Sequence, residues 1–229
     1  MDYDNYRGFL RKQIDRFELV FLIIGNHEFY NDTFAAGLQK ARQLEQEPSM
    51  SERLILVHQG RQDIPGSRVT ILGYTLWSKA PDEAREIVSS KIQVFQKKKI
   101  QGWTVDGYNG SHEADLAWLL SEMESIQSKN KTQNKKRSIL VLTHHAPSLR
   151  DTSSPEHANN PWSSTFATDI FSQISKSNDK AWAFGHTHYA MEFKNQRIRV
   201  VTNQRGYVLP WNNLKGSKDG FDVGKVIHM

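Results

Sequence analysis

Five of the nine histidines of this 229-residue chain fall in three short segments whose side chains are suited to binding a metal ion. The segments read Gly-Asn-His-Glu at residues 25–28, Thr-His-His-Ala-Pro at residues 143–147 and Gly-His-Thr-His at residues 185–188. Imidazole nitrogens and amide oxygens are ligands for divalent transition metals. The chain contains no cysteine, which excludes thiolate ligands and a thiolate nucleophile. Any metal site must therefore be built from nitrogen and oxygen.

Taken one at a time, the three segments allow structural as well as functional interpretations. The first fits a turn in which Asn26 acts as a cap, and a histidine that follows a strand, as His144 does, can simply donate to a backbone carbonyl. The Gly-His-Thr-His segment is the stronger signal, because a turn there would aim His186 and His188 in related directions that a metal ion could bridge. Two adjacent neutral imidazoles are otherwise costly to bury.

All three segments follow an apolar stretch that predicts a buried strand. These stretches are residues 19–24, 139–142 and 181–184, and such unbroken apolar runs are typical of strands buried on both faces. Strands of this kind predict a layered α/β architecture, in which ligands bind at the carboxyl ends of the strands. We therefore expect the three histidine segments to meet in one place.

The rest of the chain alternates predicted helices with predicted strands. Apolar residues at helical spacing predict helices, and apolar runs between turn signals predict strands. We expect Asp4 or Asn5 to cap the first helix and Ser111 to cap the fourth. The predicted helices cover residues 4–16, 34–47, 81–98, 112–128 and 165–175, and the predicted strands cover 18–24, 53–58, 68–73, 138–143 and 180–184, with a hairpin over 191–202 that turns at 194–195.

The composition indicates one folded domain over residues 1–229. Hydrophobic residues make up 38% of the chain and charged residues 24%, which excludes a disordered tail or a fibre. The longest apolar run, residues 19–24, is far shorter than the roughly 20 residues of a bilayer span. The first residues lack the pattern of a secretory signal, so we expect a cytoplasmic protein without membrane contact.

Basic residues give the chain a net charge of +5. Part of this charge lies at residues 129–138, which we expect to form an exposed basic loop. Aromatic residues are not interleaved with the basic runs as they are in single-strand-binding surfaces. Nucleic acid is therefore not an expected partner.

In combination, the three histidine segments resemble the third, fourth and fifth signature motifs of the calcineurin-like metallophosphoesterase superfamily. The resemblance covers residues 18 to about 208. It implies an α/β fold, a layered β-sandwich of two mixed sheets flanked by helices, with a dinuclear metal centre in the loops at the strand ends. The implied activity is hydrolysis of a phosphoester, either a monoester or a diester, by a metal-activated water.

The resemblance also implies a set of metal ligands. Asn26, His144 and His186 would bind one metal ion, and His188 would bind the other. Two divalent ions would neutralise the phosphate oxygens, and a bridging water would lose a proton to become the nucleophile. The metal could be Mn, Fe or Zn, since all three accept nitrogen and oxygen ligands.

Three further side chains have implied roles close to the metals. His27 would face the phosphoryl group and donate a proton to the leaving oxygen. Glu28 would help to orient the loop that carries Asn26 and His27. His145 would lie behind the ligands or face the substrate.

The sequence departs from the family pattern at its N-terminal end. The Asp-x-His and Gly-Asp motifs of the family, the second of which supplies a metal-bridging aspartate, do not precede Gly25. Asp2 and Asp4 are early carboxylates, but no strand precedes them and we interpret them as helix-capping residues. We expect an N-terminally truncated chain that lacks its first strands. The sequence leaves three interpretations open: an active hydrolase, a catalytically inactive remnant that acts as a binding protein, and, as a minor alternative, a nuclease. The nuclease would require the basic residues 129–137 to line the metal site.

Overall fold

The computed structural model shows alternating helices and strands, and it describes residues 1–96, 99–132, 136–157, 163–174, 180–206 and 220–229. Among these residues, no helix has both the length and the apolar character needed to cross a bilayer. In chain order the elements are α1 (Tyr3–Ile14), β1 (Val20–Leu22), β2 (Asp32–Thr33), α2 (Phe34–Gln46), β3 (Leu54–Leu56), β4 (Gly60–Asp63), β5 (Val69–Tyr74), α3 (Arg85–Lys91), β6 (Ile100–Gln101), α4 (Val105–Thr132), β7 (Ser138–Thr143), β8 (Lys180–Phe184), β9 (Met191–Asn195) and β10 (Ile198–Thr202).

A six-stranded mixed sheet forms the centre of the fold, in the order β4-β5-β7-β8-β10-β9. The four central strands are parallel, and the edge strands β4 and β9 pair antiparallel with their neighbours. Thr143 at the end of β7 pairs with Tyr74 at the end of β5 and with Phe184 at the end of β8. Because these strands end in register, the loops that follow them lie side by side at one edge of the sheet.

A smaller sheet of two parallel strands, β1 and β3, lies beside helices α1 and α2. Val20 pairs with Leu54, and apolar side chains of both strands and both helices belong to one buried cluster. The Thr75 hydroxyl donates to the Ile24 carbonyl at 2.9 Å, which links the end of β1 to the end of β5. The loop after β1 therefore reaches the same edge as the loops of the central sheet.

The architecture confirms the predicted α/β class, with a mixed multi-stranded sheet and flanking helices. The second layer differs from the expected mixed sheet, because the described residues place only two strands there and both are parallel. Strands β2 and β6 form a separate ladder of two residues each. Strands β7 and β8 have the predicted bounds, since each is an apolar run flanked by polar residues.

Helix α4 covers one face of the central sheet. Its side chains Leu119, Met123 and Ile126 recur at helical spacing and are all buried. They share a buried cluster with Ile139 and Val141 of β7. Burial of each such side chain contributes about 1.5–3 kcal/mol, which fixes the position of α4 on the sheet.

The start of α4 differs from the predicted one. The helix begins at Val105, and the hydroxyl of Thr104 accepts a hydrogen bond from the Gly107 N–H at 3.1 Å. Ser111 therefore lies inside the helix and is not its cap. Gly107 and Gly110 have low helix propensity, which explains why the sequence pattern favours a later start.

The end of α4 corrects the prediction of an exposed basic loop over residues 129–138. The helix continues to Thr132, so the first part of that segment is helical, and residues 133–135 lie outside the described residues. The buried Asn130 side chain binds the backbone of Arg137 through hydrogen bonds of 2.8 and 2.9 Å. This contact returns the chain from α4 to the start of β7.

Of two further predicted helices, one is shorter in the structure, and the other is replaced by 3-10 turns in the described residues. The predicted helix over residues 81–98 consists of α3 between two 3-10 turns, Asp82–Ala84 and Gln93–Phe95. The predicted helix over residues 165–175 gives the 3-10 turns Ser163–Thr165 and Phe171–Gln173. Residues 97–98 and residue 175 lie outside the described residues.

Three local features also differ from the sequence expectation. The cap of α1 is Asp2, whose carboxylate accepts from the Asn5 N–H at 3.4 Å, and not Asp4 or Asn5. The hairpin of β9 and β10 turns at residues 196–197, later than predicted. Strand β4 was not predicted, because Gly-Arg-Gln-Asp is a polar edge strand without an apolar run.

Candidate metal centre

The loops after β1, β7 and β8 bring the three histidine segments together, as expected from the strand ends. His144 and His145 follow β7, His186 follows β8, and each offers a ligand atom within 4.8 Å of the others. Asn26 joins them from the loop after β1, because its Oδ1 lies 2.8 Å from His144 Nε2. His144 Nε2 also lies 2.9 Å from His186 Nδ1. We call these four residues the histidine cluster.

Two distances within the histidine cluster match the spacing of neighbouring ligands on one metal ion. A ligand atom lies about 2.0–2.2 Å from a divalent transition metal, so ligands on adjacent corners of an octahedron lie about 2.9 Å apart. The distances from His144 Nε2 to Asn26 Oδ1 and to His186 Nδ1, 2.8 and 2.9 Å, match that value. His144 Nε2 is therefore placed to share one cation with Asn26 Oδ1 and with His186 Nδ1.

The turn after β1 fixes Asn26 in this position. Its Nδ2 donates to the Tyr30 hydroxyl at 2.9 Å, which leaves Oδ1 facing His144. Gly25 packs so closely on the His144 ring that an added Cβ would lie 2.4 Å from Cε1. The Gly25 N–H donates to the Glu28 carboxylate at 2.7 Å, which closes the turn. Glu28 thus orients the loop through the backbone of Gly25.

Burial keeps the three histidines of the cluster uncharged. Removal from water, with smaller contributions from the nearby His27 and His188, lowers the pKa of His144 to about 3. Burial also lowers the pKa of His145 and of His186 well below the usual value of 6.5. A neutral imidazole keeps one ring nitrogen with a free lone pair, which is the form that binds metal.

Two ring nitrogens of the cluster, His145 Nε2 and His186 Nε2, are buried without a hydrogen-bond partner in the described part of the chain. Buried polar atoms are hydrogen-bonded in the large majority of cases, so each exception needs an explanation. A bound cation accounts for an unpartnered imidazole nitrogen that lies beside other ligand atoms, although in His186 the nitrogen at ligand spacing is Nδ1 and not the unpartnered Nε2. The donor set therefore fits a metal ion.

His188 lies outside the group of three histidines whose ligand atoms are within 4.8 Å of one another. Its side chain is half-buried, and its backbone N–H donates to Gln204 Oε1 at 2.6 Å. Gln204 Nε2 also donates to the hydroxyls of Thr187 and Thr202, at 3.0 and 2.6 Å. Gln204 thus ties the Gly-His-Thr-His turn to the end of β10. The sequence does not predict this role, although Gln204 follows a strand at the same edge of the sheet.

His27 is exposed, and its ring stacks on Tyr30 with a centroid distance of 4.7 Å. Partial burial lowers the pKa of His27; the Glu28 carboxylate opposes this shift, and the Lys99 ammonium adds to it. Burial lowers the pKa of His188, the charge of His27 also lowers it, and both side chains line the same cavity. His27 therefore stands next to the histidine cluster without belonging to it.

A cavity of about 1180 Å³ opens beside the histidine cluster. A cavity of this size can hold a small-molecule ligand. Its lining includes His27, His145, His186 and His188 together with Tyr30 and Phe166. The sequence-predicted site residues thus line one common space, with His144 and Glu28 in the supporting turns.

Residues 75–80, which follow β5, hold the second histidine segment from the side. The Thr75 carbonyl accepts hydrogen bonds from the backbone N–H groups of His144 and His145, both at 3.1 Å. The Ser78 hydroxyl lies 2.8 Å from His145 Nδ1. The histidine segments of the sequence predict no site residue here. The available signal is that Thr-Leu-Trp-Ser follows a buried strand at its carboxyl end.

Helix α4 holds residues 75–80 in place through two buried polar side chains. Asp115 Oδ2 accepts from the Leu76 N–H at 3.1 Å, and its Oδ1 accepts from Gln59 Nε2 at 2.9 Å. His112 Nδ1 bonds the Trp77 carbonyl. Desolvation raises the pKa of Asp115 to about 6 and outweighs the hydrogen bonds, which lower it.

The candidate metal-ligand group contains no carboxylate among the described residues. Imidazoles and one amide make up the histidine cluster, in agreement with the absence of a Gly-Asp motif before Gly25. A divalent cation bound by neutral ligands keeps its full charge. Such a site would attract an anion, and a phosphate group is a suitable one.

Comparison with known proteins gives a relative in a virus and a similar fold in bacteria. No family model matches the chain. The chain is 27% identical over 227 residues to the uncharacterised protein L509 of Acanthamoeba polyphaga mimivirus. The aligned region covers 90% of this chain and 75% of the viral protein.

Two solved structures resemble the fold to different degrees. The crystal structure of the phosphopantetheinyl hydrolase PptH from Mycobacterium tuberculosis matches with a TM-score of 0.53 and 13% identity, over 89% of this chain and 75% of that one. A structure assigned as a 5′-nucleotidase from Staphylococcus aureus matches with a TM-score of 0.45 and 14% identity, over 86% of this chain and 35% of that one. The similarity to the first shows that this chain has the same general α/β fold as that hydrolase.

Proposed function

We propose that this chain hydrolyses a phosphoester with the help of divalent metal ions held at the strand ends. The observation that carries the proposal is the 2.8 and 2.9 Å spacing of Asn26 Oδ1, His144 Nε2 and His186 Nδ1, three ligand atoms from three separate loops. The general fold shared with a phosphopantetheinyl hydrolase agrees with this activity.

The proposed ligands divide between two ions. Asn26, His144 and His186 would hold one ion, and His188 would contribute to a second. When bound, the metal would supply Lewis-acid stabilisation of the phosphate oxygens and an activated water. Imidazole and amide ligands favour Mn, Fe or Zn over Mg, which prefers carboxylate and water oxygens.

His27 is the proposed proton donor to the leaving oxygen. Its ring is exposed at the cavity, and the stack on Tyr30 limits the directions in which the ring can face. Asn26 precedes it in a 3-10 turn, so the amide faces His144 while the imidazole lies outside the cluster. Proton transfer of this kind contributes about 10²–10⁴-fold in rate.

A small phosphomonoester or phosphodiester is the proposed substrate, and nucleic acid is not. Arg137, the last basic residue of the segment 129–138, donates to the Thr70 hydroxyl and to the Val69 carbonyl at the amino end of β5. That end of the strand is opposite to the edge that carries the histidine cluster. Arg137 is therefore not placed to bind a polynucleotide that reaches the cavity.

A second function, phosphoester binding without turnover, is favoured by one observation. The candidate ligand group of the described residues has no carboxylate, so two cations held close together would repel each other without compensation. A single bound cation could still capture a phosphate group. This function corresponds to the inactive remnant that the sequence leaves open.

Metal content and turnover, measured together, test both functions. The purified chain is loaded with Mn²⁺, Zn²⁺ or Fe²⁺, and its metal content and its hydrolysis of nitrophenyl phosphate and bis(nitrophenyl) phosphate are determined. His186→Ala should abolish metal uptake and turnover, whereas the exposed His228→Ala serves as the matched control and should change neither. Metal and phosphate binding without turnover would establish the second function. A chain that takes up no metal would refute both.

A further inference from the structure

The cavity beside the histidine cluster is larger than a phosphate group requires. Its volume of about 1180 Å³ exceeds the roughly 300–1,000 Å³ that is usual for pockets that enclose a drug-sized ligand. The imidazoles supply only part of its lining. A phosphate group bound beside them would leave most of the cavity to the alcohol with which the phosphate is esterified. The other lining residues therefore bear on the identity of that alcohol.

Fixed charge is scarce in the described part of the lining. Apart from the histidines, its only acidic or basic residues are Lys91 and Glu156, which are exposed and of opposite sign. The Lys99 ammonium lies over the Tyr30 ring, 4.7 Å from its centre, and is not among the lining residues. A second phosphate or a carboxylate on the substrate would need a cationic partner, most often arginine, and the described lining contains no arginine. We therefore expect the alcohol to be uncharged.

Two side chains of the core form an apolar part of the lining. Ile92 follows α3 and Val94 lies in the next 3-10 turn, and they are 9% and 5% exposed. Both belong to the buried cluster that includes side chains of β1, α1 and α2. The Ile92 carbonyl accepts from the Phe95 N–H at 3.1 Å, which closes the turn. The core thus holds an apolar surface against the cavity, and an apolar group of a ligand matches such a surface.

Leu149 adds an apolar side chain that is open to solvent. It lies in the loop after β7, lines the cavity and is 46% exposed. The Thr152 hydroxyl donates to the Ser148 carbonyl at 2.6 Å, and the Ser148 hydroxyl accepts from the Arg150 N–H at 3.1 Å. These bonds fix the backbone on both sides of Leu149. An apolar ligand in the cavity would remove part of the leucine surface from water, which favours binding.

Phe166 connects the apolar lining to the metal centre. Its ring is half-buried, lines the cavity and lies 5.2 Å from the His186 ring, measured between centroids. Its carbonyl accepts from the Ala146 N–H at 3.2 Å, and its N–H donates to the Ser163 carbonyl at 3.0 Å. The loop after β7 therefore holds the Phe166 ring in place. A group esterified to a phosphate beside His186 would lie close to this ring.

We propose that the substrate is the phosphoester of an uncharged, largely apolar alcohol, whose apolar part is bound by Ile92, Val94, Leu149 and Phe166. This inference rests on the proposed function for the phosphate end of the substrate and adds the class of the alcohol. Serine, threonine and tyrosine hydroxyls also line the cavity, and they can pair with neutral polar groups of the same alcohol. The four apolar side chains are specificity residues, because they contact the alcohol and not the phosphate.

Phosphonates test the chemistry of the alcohol without turnover, because their carbon–phosphorus bond is not hydrolysed. Calorimetry of the zinc-loaded chain measures the binding of methyl-, propyl- and octylphosphonate and of 3-phosphonopropionate. Octylphosphonate should bind about 100-fold more tightly than methylphosphonate, because each buried methylene contributes about fourfold and three or four need to be buried. Its heat-capacity change on binding should also be more negative. The charged 3-phosphonopropionate should bind more weakly than propylphosphonate.

Substitutions in the apolar lining test where the alkyl chain binds. Leu149→Ser and Phe166→Ala should each lose about 5–10-fold in octylphosphonate affinity, which corresponds to one or two methylenes left unburied, and should keep their methylphosphonate affinity. Leu149 is nearly half exposed, so its replacement leaves the core intact. Ile87→Ser is the matched control, because Ile87 is 41% exposed and is not among the lining residues. It should change neither affinity.

The outcomes separate this inference from the proposed function. Equal affinities for methyl- and octylphosphonate would overturn the inference and leave the proposed function standing. The same conclusion would follow if the octylphosphonate gain survived in both variants, or if 3-phosphonopropionate bound more tightly than propylphosphonate. Failure of all four phosphonates to bind the zinc-loaded chain would instead refute the phosphate site itself.

Discussion

The carboxylate of Asp115 on helix α4 accepts a hydrogen bond from the backbone N–H of Leu76, in the segment that carries Ser78 and the Thr75 carbonyl. Two residues far apart in the chain are thereby joined inside the protein. The longest helix of the fold thus supports the loop against which His144 and His145 are held. A substitution of Asp115 should therefore affect the histidine cluster through this loop, although Asp115 itself does not contact the cluster.

Asp115→Asn should change how stability depends on pH. The pKa of Asp115 is raised from 3.8 to about 6 in the folded chain, so its contribution to stability is present below pH 4 and is lost as pH rises through 6. Asparagine has no such loss. Between pH 5 and pH 8 the wild type should therefore lose about 1.4 kcal/mol of unfolding free energy that the Asn variant does not lose.

Urea unfolding of the metal-free chain at both pH values measures this shift. Asp106→Asn is the control, because the Asp106 side chain is 81% exposed and should show no comparable shift. An Asp115→Asn difference that stays constant with pH would show that Asp115 is ionised throughout this range.

Gly25→Ala should weaken metal binding and destabilise the fold. The backbone at Gly25 is extended and accepts alanine, but the new Cβ would lie 2.4 Å from His144 Cε1. Moving the His144 ring away would break its contact with Asn26, and overpacking of this kind costs about 1–3 kcal/mol. Gly110→Ala is the matched control: it lies in α4 with open space around it and should stabilise by about 0.5–1 kcal/mol. Equal behaviour of the two variants would contradict the close packing of Gly25.

His27→Ala should slow the cleavage of poor leaving groups selectively. Without a proton donor, an alkyl phosphate should lose about 10²–10⁴-fold in kcat/KM, whereas a nitrophenyl ester leaves without help and should be spared by comparison. Metal content should not change, because His27 lies outside the histidine cluster. The measurement is kcat/KM for one ester of each kind together with metal analysis. Equal slowing of both esters would assign His27 a different role.

Gln204→Ala should loosen the Gly-His-Thr-His turn. The substitution removes the acceptor for the His188 N–H and the donor to the hydroxyls of Thr187 and Thr202. We expect a loss of about 1–3 kcal/mol in unfolding free energy and a weaker affinity for zinc. Gln101→Ala is the control, since its exposed side chain makes a single hydrogen bond of 3.3 Å. A zinc affinity equal to that of the wild type would show that the turn holds its shape without Gln204.

The strand ends of the site could be predicted because their signals are local. Each of β7 and β8 is an apolar run that stops at a polar turn containing histidine. Strand β7 ends at Thr143, the same residue at which the sequence predicts its end. Parallel strands that end in register must bring such turns together. The convergence of Asn26, His144 and His186 therefore follows from two signals. Each residue comes shortly after an apolar run, and the ends of parallel strands lie at one edge of a sheet.

The supports of the site could not be predicted because they depend on pairings between distant residues. Asp115 and Leu76 are 39 positions apart, and the apolar face of α4 does not reveal which strand end its polar side chains reach. The contact of Ser78 with His145 spans 67 positions and includes a residue that sequence alone would place in an ordinary loop. The early start of α4 was hidden for a different reason, since Gly107 and Gly110 disfavour a helix that packing nevertheless stabilises.

The Gly-His-Thr-His turn places both of its histidines in the left-handed region of backbone conformation, with φ of 70° at His186 and 53° at His188. A side chain other than glycine is strained there by roughly 1–3 kcal/mol. Glycine at either position would relieve that strain and remove an imidazole from the cavity. Variants selected only for resistance to heat should therefore lose these two histidines early, and the most heat-resistant among them should be the least able to bind a metal ion.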